Sequence, residues 1–330
     1  MKKILIISLT LLLTLTTIAI IIIASINKRM QSDIEMTPEA GGTAFYPMRS
    51  GMVTIVPGVN ILFDTSSPVS TLTKRDLDKM IAAGLEVDSI DALYIGYDPN
   101  DHLIFTTKRY RVNFPAPSAG LTLNSDNCTP FYTRLSEHAE IRNVDFIPTE
   151  DGVSRFGADF IRNFAVGYSW TMSMIKLVDH VPDDYQDFAD LHRRPSVDFF
   201  LKAAPHYYID LEVDGRQGSY LIDTTIPRVK INIPKNDGKP ARRSYHDPFI
   251  HSGVFYDATC EVAQPVQIGD RFKYQDVHRS DVVDNGETYF CNPFNMFIHD
   301  IVLDMRSEKM YIRRGVNVAP HAPSFGIASH

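Results

Sequence analysis

The sequence contains little cysteine, no recognisable metal-binding motif and no long run of basic residues. Only three of its 330 residues are cysteines, namely Cys128, Cys260 and Cys291, and an odd number cannot pair completely within one chain. Cys260 and Cys291 could form a disulfide if the protein is exported. The alternative is that all three cysteines are buried free thiols.

The sequence lacks the signature motifs of several enzyme classes. The eleven histidines form no His-Glu-x-x-His pattern and no clustered Cys/His spacing. The segment around Ser118 lacks the first glycine of a nucleophile elbow, and no phosphate-binding glycine loop is present. The net charge is −7, and the arginine pairs at 193–194 and 313–314 are short, so nucleic acid is excluded as a partner. We therefore expect no metal and no cofactor.

One short phrase occurs twice. Residues 61–68 read Ile-Leu-Phe-Asp-Thr-Ser-Ser-Pro, and residues 220–227 read Tyr-Leu-Ile-Asp-Thr-Thr-Ile-Pro. Each copy places an aspartate, Asp64 or Asp223, directly after three apolar or aromatic residues, where burying a carboxylate is costly unless a partner is present. The repeat predicts that the chain brings these two carboxylates together.

A second repeat lies downstream of the first. Residues 156–164 follow the first aspartate and residues 290–298 follow the second, and both segments are rich in phenylalanine. A strand-like tail comes after each segment. Two landmarks in the same order indicate a duplicated lobe.

These residues resemble the aspartic proteases, both pepsin-like and retropepsin-like. In that family each lobe carries an apolar-apolar-Asp-Thr/Ser-Gly phrase and, later, an apolar-Gly segment followed by a short helix. Residues 63–66 and 222–225 resemble the first element, and residues 156–164 resemble the second. The resemblance extends over residues 45–315 and implies a mostly β, bilobal fold of two related β-barrel lobes.

The resemblance also implies a chemistry. Asp64 and Asp223 would be the catalytic residues of an endopeptidase that acts on a peptide or protein. Two carboxylates at close range share one proton. The ionised carboxylate would take a proton from a bound water, and the protonated one would donate to the scissile carbonyl. The sequence does not say which aspartate is the acid.

Small hydroxyl residues are expected to support the first carboxylate. Ser67 and Ser70 lie where the family often has such residues, whereas the second lobe has Ile226 and Val229 at these places. We therefore expect Asp223 to accept fewer hydrogen bonds than the first aspartate.

The chain departs from the family at its glycine positions. Ser66 and Thr225 stand two residues after each aspartate, and Cys291 is aligned with the later glycine of the second lobe. The added hydroxyls could hydrogen-bond the carboxylates and lower their pKa, or they could occupy substrate space. By the same resemblance, Thr65 and Thr224 would join the two loops through reciprocal hydrogen bonds.

The N-terminus carries a long apolar stretch. Residues 4–26 contain no charge, and roughly 20 such residues cross a bilayer core as a helix. The stretch is longer than a usual signal-peptide core and shows no clear cleavage site, which favours a transmembrane anchor over a removed signal. Lys2 and Lys3 favour a cytoplasmic N-terminus, although residues 28–29 are also basic. We expect a single-pass protein of the bacterial inner membrane with its globular domain on the periplasmic or extracellular side.

The pattern also predicts a domain organisation. A helix is expected over residues 74–83, with Thr73 as its N-cap and Gly84 as its stop. A flap over the cleft is expected between residues 93 and 133, with Tyr94, Tyr97, Tyr110 and Tyr132 as candidate flap aromatics. The alternative, which we favour for any one of them, is an ordinary strand tyrosine. The predicted units are an anchor (1–28), a tether (29–43), lobe 1 (44–178), a connector (179–200), lobe 2 (201–316) and a flexible tail (317–330).

Two hypotheses follow from the sequence. The first is a membrane-anchored aspartic endopeptidase. The second is a catalytically inactive, protease-like module that binds peptides or serves as a scaffold in a bacterial envelope complex. The second is motivated by the side chains at the glycine positions.

Overall fold

The fold is described from a computed structural model of the chain. The described residues are 2–27, 33–37, 43–49, 51–97, 103–114, 140–150, 152–169, 174–178, 180–194, 206–225, 232–233, 243–246, 249–251, 254–256, 259–262, 266–268, 272–274, 278–280, 289–296 and 301–313. The predicted flexible tail, Cys128, Ile226, Val229 and Tyr132 lie outside these residues.

Strands make up most of the described structure. The helices are α1 (Lys2–Asn27), α2 (Lys74–Ala82), α3 (Ala158–Ile161) and α4 (Pro293–Met296). The strands are β1 (Glu35–Thr37), β2 (Thr43–Arg49), β3 (Met52–Val56), β4 (Val59–Phe63), β5 (Thr71–Thr73), β6 (Val87–Tyr97), β7 (Leu103–Phe114), β8 (Glu140–Thr149), β9 (Arg155–Phe156), β10 (Ala165–Ser169), β11 (Met174–Val178), β12 (Tyr185–Arg194), β13 (His206–Val213), β14 (Arg216–Ile222), β15 (Asn232–Ile233), β16 (Arg243–His246), β17 (Phe249–His251), β18 (Val254–Tyr256), β19 (Thr259–Val262), β20 (Val266–Ile268), β21 (Phe272–Tyr274), β22 (His278–Ser280), β23 (Tyr289–Cys291), β24 (Ile301–Asp304) and β25 (Lys309–Arg313).

The apolar N-terminal stretch forms helix α1. Its threonine hydroxyls, such as those of Thr10 and Thr14, donate to backbone carbonyls four residues earlier. Among the described residues, no helix has the length and hydropathy required to cross a membrane. The transmembrane anchor predicted at residues 4–26 is therefore not supported.

The first half of the chain builds a three-strand unit around Asp64. Strand β4 pairs with β3 in antiparallel fashion and with β9 in parallel fashion, so it lies between them. Its alternate residues Val59, Ile61 and Phe63 are buried, as expected from the two-residue period of a strand. Asp64 thus follows directly from a central strand whose apolar side chains fix it in the core.

The second half repeats this unit around Asp223. Strand β14 pairs antiparallel with β13 and parallel with β23. The alternate residues Tyr207, Ile209 and Leu211 of β13 are buried. The fold is therefore mostly β, and both halves place an aspartate after the middle strand of the same three-strand arrangement.

One antiparallel sheet joins the two halves. Its strand order is β2-β11-β10-β24-β25-β12. The central pairing is between β10 of the first half and β24 of the second, with Ala165 opposite Asp304 and Tyr168 opposite Ile301. The segment predicted as a connector contains β12, which pairs with both β25 and β13.

Helix α2 confirms the helix predicted after the first aspartate. The hydroxyl of Thr73 accepts a hydrogen bond from the backbone N–H of Asp76, as an N-cap does. The helix ends before Gly84, whose φ is +82°, a conformation that favours glycine.

The long hairpin of β6 and β7 lies in the region predicted to supply a flap. Tyr94, one of the candidate flap aromatics, is fully buried beside Val69 and Ile147. It is therefore a core residue of a strand and not a flap aromatic, as the favoured alternative for these tyrosines predicts. Tyr110 is half-buried on β7, and the side chain of Tyr97 lies outside the described atoms.

Candidate active site

The two aspartates occupy equivalent backbone positions. The backbone N–H of Asp64 donates to the carbonyl of Phe156 at 2.9 Å, and that of Asp223 donates to the carbonyl of Cys291 at 2.9 Å. In both halves the bond extends the parallel pairing between the middle strand and its downstream neighbour. The duplicated sequence phrase therefore folds into a duplicated loop.

Thr65 and Thr224 join these loops by reciprocal hydrogen bonds. The hydroxyl of Thr65 donates to the carbonyl of Ile222 at 2.7 Å, and the hydroxyl of Thr224 donates to the carbonyl of Phe63 at 2.6 Å. Each hydroxyl also accepts the backbone N–H of the other threonine, at 3.2 Å in both cases. The four bonds form the reciprocal contact that the sequence resemblance implied.

Ser66 and Thr225 bind the carboxylates through their hydroxyls. Ser66 donates both its backbone N–H (3.0 Å) and its hydroxyl (2.6 Å) to Oδ1 of Asp64. Thr225 does the same to Oδ1 of Asp223, at 2.8 Å and 2.6 Å. Of the two alternatives left open by the sequence, hydrogen bonding to the carboxylates is the one observed.

Ser67 and Ser70 have different partners from those expected. Ser67 reaches Asp64 through its backbone N–H, at 3.0 Å, while its hydroxyl donates to the carbonyl of Val69. The hydroxyl of Ser70 donates to Asp159 and accepts the backbone N–H of Gly157. Ser67 therefore supports the carboxylate through its backbone N–H, whereas the two serine hydroxyls stabilise the surrounding loop.

The segments downstream of the two aspartates are equivalent in structure, but their alignment is shifted by one residue from the predicted alignment. Phe156 and Cys291 both accept the backbone N–H of an aspartate, so Asn292, and not Cys291, stands at the position of Gly157. A Cβ atom at Gly157 would lie 2.4 Å from the backbone carbonyl carbon and oxygen of Val69, which explains the glycine. Asn292 instead donates from its side-chain amide to the carbonyl of Thr224 at 3.1 Å.

Cys291 is a buried free thiol, so the disulfide with Cys260 considered above is not formed. Burial, with a smaller contribution from the negative charge of Asp223, raises the pKa of the Cys291 thiol far above its ordinary value. The thiol is therefore protonated and fills the core beneath the second loop. This outcome agrees with the free-thiol alternative for this cysteine.

Both carboxylates are almost completely enclosed. Asp64 is 3% exposed and Asp223 is fully buried. Burial raises the pKa of Asp64, and the charge of Asp223 raises it further, while Arg155 and the hydrogen bonds from Ser66 act in the opposite direction. The negative charge of Asp223 therefore acts on Asp64 across the two joined loops.

Arg155 is a site residue that the sequence pattern did not reveal. Its Nη1 lies 3.2 Å from Oδ2 of Asp64, and its side chain is 15% exposed. It reaches this place because β9 pairs with β4 in a register that sets Arg155 opposite Leu62. A signal was present in the sequence, since Arg155 directly precedes the apolar-Gly element at Phe156.

Comparisons with known proteins give distant structural likenesses. No protein-family model and no curated protein matches this chain. It is similar to soybean basic 7S globulin (9% identity, 83% of this chain and 94% of that chain, TM-score 0.42). It is also similar to EDGP (9%, 82% and 94%, TM-score 0.44) and to an aspartic proteinase from Irpex lacteus (10%, 84% and 99%, TM-score 0.42). Because the likeness is distant, the function proposed below rests on the contacts of this chain.

The arrangement can perform acid–base chemistry. A carboxylate can give or take a proton, and the donors on Oδ1 hold Asp64 and Asp223 in place. Among the described residues, no group of three or more His, Cys, Asp or Glu side chains is placed to hold a metal ion.

Proposed function

We propose that this chain is an aspartic-type endopeptidase that hydrolyses peptide bonds with a water activated by Asp64 and Asp223. The observation that carries the proposal is the reciprocal bonding of Thr65 and Thr224. It ties the two aspartate loops together, and the negative charge of Asp223 raises the pKa of Asp64. This reciprocal contact fixes the two aspartate loops side by side, as is required if both carboxylates act on one peptide bond.

The reaction follows from one proton shared by two carboxylates. The ionised aspartate takes a proton from water as the water oxygen attacks the scissile carbonyl carbon. The protonated aspartate gives its proton to the carbonyl oxygen, so a neutral tetrahedral diol forms. The aspartate that took the proton from water then gives it to the amide nitrogen, and a hydroxyl of the diol returns its proton to the other aspartate as the C–N bond breaks. This releases an acid and an amine and restores the single shared proton.

Replacement of either aspartate by asparagine tests the proposal. The full chain should cleave a labelled unfolded protein at mildly acidic pH. Asp64→Asn and Asp223→Asn should each lower the rate by about 10³-fold or more while the fold is retained, because each removes one proton-transfer group. A variant at the exposed Asp91 serves as the control. Unchanged turnover in the two dyad variants would exclude the proposal.

A second function, a peptide-binding or scaffold module of an envelope complex, is favoured by a different observation. Asp64 and Asp223 are nearly inaccessible, and Asp64 already has Arg155 as an ion-pair partner. This alternative predicts no turnover at any pH and retention of a protein partner after the membrane fraction is solubilised. Turnover that depends on both aspartates would exclude it.

Location outside the cytoplasm also stays a prediction. Protease added to intact spheroplasts should digest the globular domain. Digestion that occurs only after lysis would contradict a periplasmic or extracellular location. The intact mass of the purified protein reports separately whether residues 4–26 are retained.

A further inference from the structure

A serine, a histidine and an aspartate lie side by side on the second half of the chain. The hydroxyl of Ser219 is 3.1 Å from Nε2 of His192. The other ring nitrogen, Nδ1, is 3.2 Å from Oδ2 of Asp210. The imidazole therefore stands between a hydroxyl and a carboxylate, which is the order of groups that activates a serine as a nucleophile.

Three adjacent strands bring these residues together. Asp210 of β13 lies opposite Ser219 of β14, and His192 of β12 lies opposite Tyr208 of β13. Because side chains alternate along a strand, Tyr208 and Asp210 share the face opposite to the buried Ile209. The cluster depends on strand pairing and not on a short motif, so the sequence pattern did not reveal it.

Two neighbours orient the imidazole. The ring of Tyr208 stacks on that of His192, with centroids 5.6 Å apart and planes 17° apart. Asp210 approaches Nδ1 closely, but not in the direction of a hydrogen bond, and a rotation of its half-exposed side chain would align it. A carboxylate at Nδ1 favours the tautomer with its proton there, which makes Nε2 the acceptor for the hydroxyl of Ser219.

The cluster is open to solvent, in contrast to the two buried aspartates of the dyad. The side chains of His192 and Asp210 are 32% and 49% exposed, and Ser219 is half-buried. Ser219 precedes Asp223 by four residues on the same strand, or roughly 13 Å at the rise of a β-strand. A small molecule can therefore reach the cluster without entering the dyad.

We propose that Ser219, His192 and Asp210 form a second catalytic site, in which Ser219 is the nucleophile toward carboxylic esters. The proposal goes beyond the endopeptidase activity and does not depend on it. It assigns Ser219 to covalent catalysis, His192 to proton transfer and Asp210 to orientation of the imidazole.

The reaction has two steps. The hydroxyl oxygen of Ser219 attacks the ester carbonyl carbon as Nε2 of His192 takes the hydroxyl proton. The ester C–O bond then breaks, and the alcohol leaves with that proton, so the acyl group stays on Ser219. Water next attacks the acyl carbon and gives a proton to Nε2, which passes it to the serine oxygen as the acid leaves.

Labelling with a fluorescent fluorophosphonate, which phosphonylates activated serines with loss of fluoride, tests the proposal on the full chain. Peptide mass spectrometry should locate the label on Ser219, and Ser219→Ala should abolish it. His192→Gln should slow labelling by about 10²-fold or more, and Asp210→Asn by about tenfold or more, with unchanged circular dichroism. Absence of label on Ser219, or an unchanged rate in His192→Gln, would overturn the proposal.

Two controls separate activation by the cluster from general reactivity. Ser307 is an exposed serine whose hydroxyl contacts Asp304 and Tyr311, and it should carry no label. Glu212→Gln removes an exposed carboxylate from the same face of β13 and should leave the rate unchanged. Equal labelling of Ser307, or an equal loss in Glu212→Gln and Asp210→Asn, would contradict the assigned roles.

Hydrolysis of p-nitrophenyl acetate distinguishes this site from the dyad. Ser219→Ala should abolish the release of p-nitrophenol above the uncatalysed rate, whereas Asp64→Asn and Asp223→Asn should retain it. If peptides are not cleaved but the ester is, the proposed function fails and the second site stands. If peptides are cleaved and Ser219→Ala leaves ester hydrolysis unchanged, the second site is refuted and the endopeptidase stands.

Discussion

At the scale of single residues, the side chains at the two glycine positions change how the carboxylates are held. Ser66 keeps the backbone N–H that a glycine would offer and adds a hydroxyl 2.6 Å from Oδ1 of Asp64. Thr225 adds the same contact to Asp223. Hydrogen bonds to an ionised carboxylate favour the ionised form, so these substitutions support charge at the site.

Ser66→Ala should remove one of these donors and leave the N–H in place. We expect the pKa of Asp64 to rise further and the unfolding free energy at pH 7 to fall by about 2 kcal/mol, because a hydrogen bond to a charged group is lost. Urea unfolding at several pH values measures both effects. Ser67→Ala is the matched control, since its hydroxyl donates to the carbonyl of Val69. An equal change in pH dependence for both variants would contradict this account.

The raised pKa of Asp64 also makes stability depend on pH. The folded chain keeps this proton to a higher pH than the unfolded chain, whose carboxyl has its ordinary value of 3.8. The stabilising contribution is therefore complete below this value and is lost as the pH rises through the folded-state pKa. Asp223→Asn removes the negative charge that is the second-largest cause of the raised pKa of Asp64. The loss of stability as the pH rises should therefore be smaller in this variant.

The Tm of Asp223→Asn should accordingly exceed that of the wild type at pH 8 and converge with it near pH 3. Asp91→Asn, at an exposed position, corrects for the change in net charge. A Tm difference that is independent of pH would show that the coupling between the two carboxylates does not affect folding.

At the scale of elements, a close approach fixes the turn from β9 into α3. Gly157 begins this helix, and any side chain there would collide with the backbone of Val69. Because Gly157 has no side chain, the start of α3 packs directly against the loop that follows Asp64. The position of one therefore determines the position of the other. Asn292 makes a different connection in the second half, through its amide to Thr224.

Gly157→Ala should therefore lower the unfolding free energy by about 3 kcal/mol, because the loop must move to admit a methyl group. Gly167→Ala is the control, since the nearest atom to its Cβ would be 3.4 Å away, the carbonyl oxygen of Ile301. Chemical denaturation measures both variants. A loss at Gly157 no larger than that at Gly167 would argue against the close approach.

At the scale of the whole molecule, the two halves are held together at the site as well as by the shared sheet. The rings of Phe63 and Phe294, from opposite halves, lie with their centroids 6.2 Å apart. Thr65 and Thr224 make the reciprocal bonds beside them. The dyad therefore exists only when both halves are folded and joined.

Thr65→Val and Thr224→Val test this joining. Each should cost about 3 kcal/mol, because it removes a donor and leaves the N–H of the other threonine without its acceptor. The double variant should cost clearly less than the sum, because both changes break the same network. Thr65→Ser and Thr224→Ser keep the hydroxyls and should lose much less stability. Additive losses would contradict the reciprocal contact.

Structural features that depend on short segments of the chain could be predicted from the sequence. The duplicated aspartate phrase and helix α2 with its Thr73 cap were readable from local residues, and the reciprocal bonds of Thr65 and Thr224 were implied by the family resemblance. Arg155 was not predicted, because its place beside Asp64 depends on pairing between strands that are distant in the chain. The one-residue error at Cys291 has the same origin, since a hydrogen-bond register and not residue similarity defines the equivalence.

The most direct measurement is a calorimetric titration of the full chain with a peptide that carries a hydroxyl-bearing isostere in place of the scissile bond. A single site built from two carboxylates predicts one bound peptide per chain. It also predicts loss of binding in both Asp64→Asn and Asp223→Asn, with the fold intact. Binding that survives both substitutions would contradict the claim that the two loops form one catalytic site.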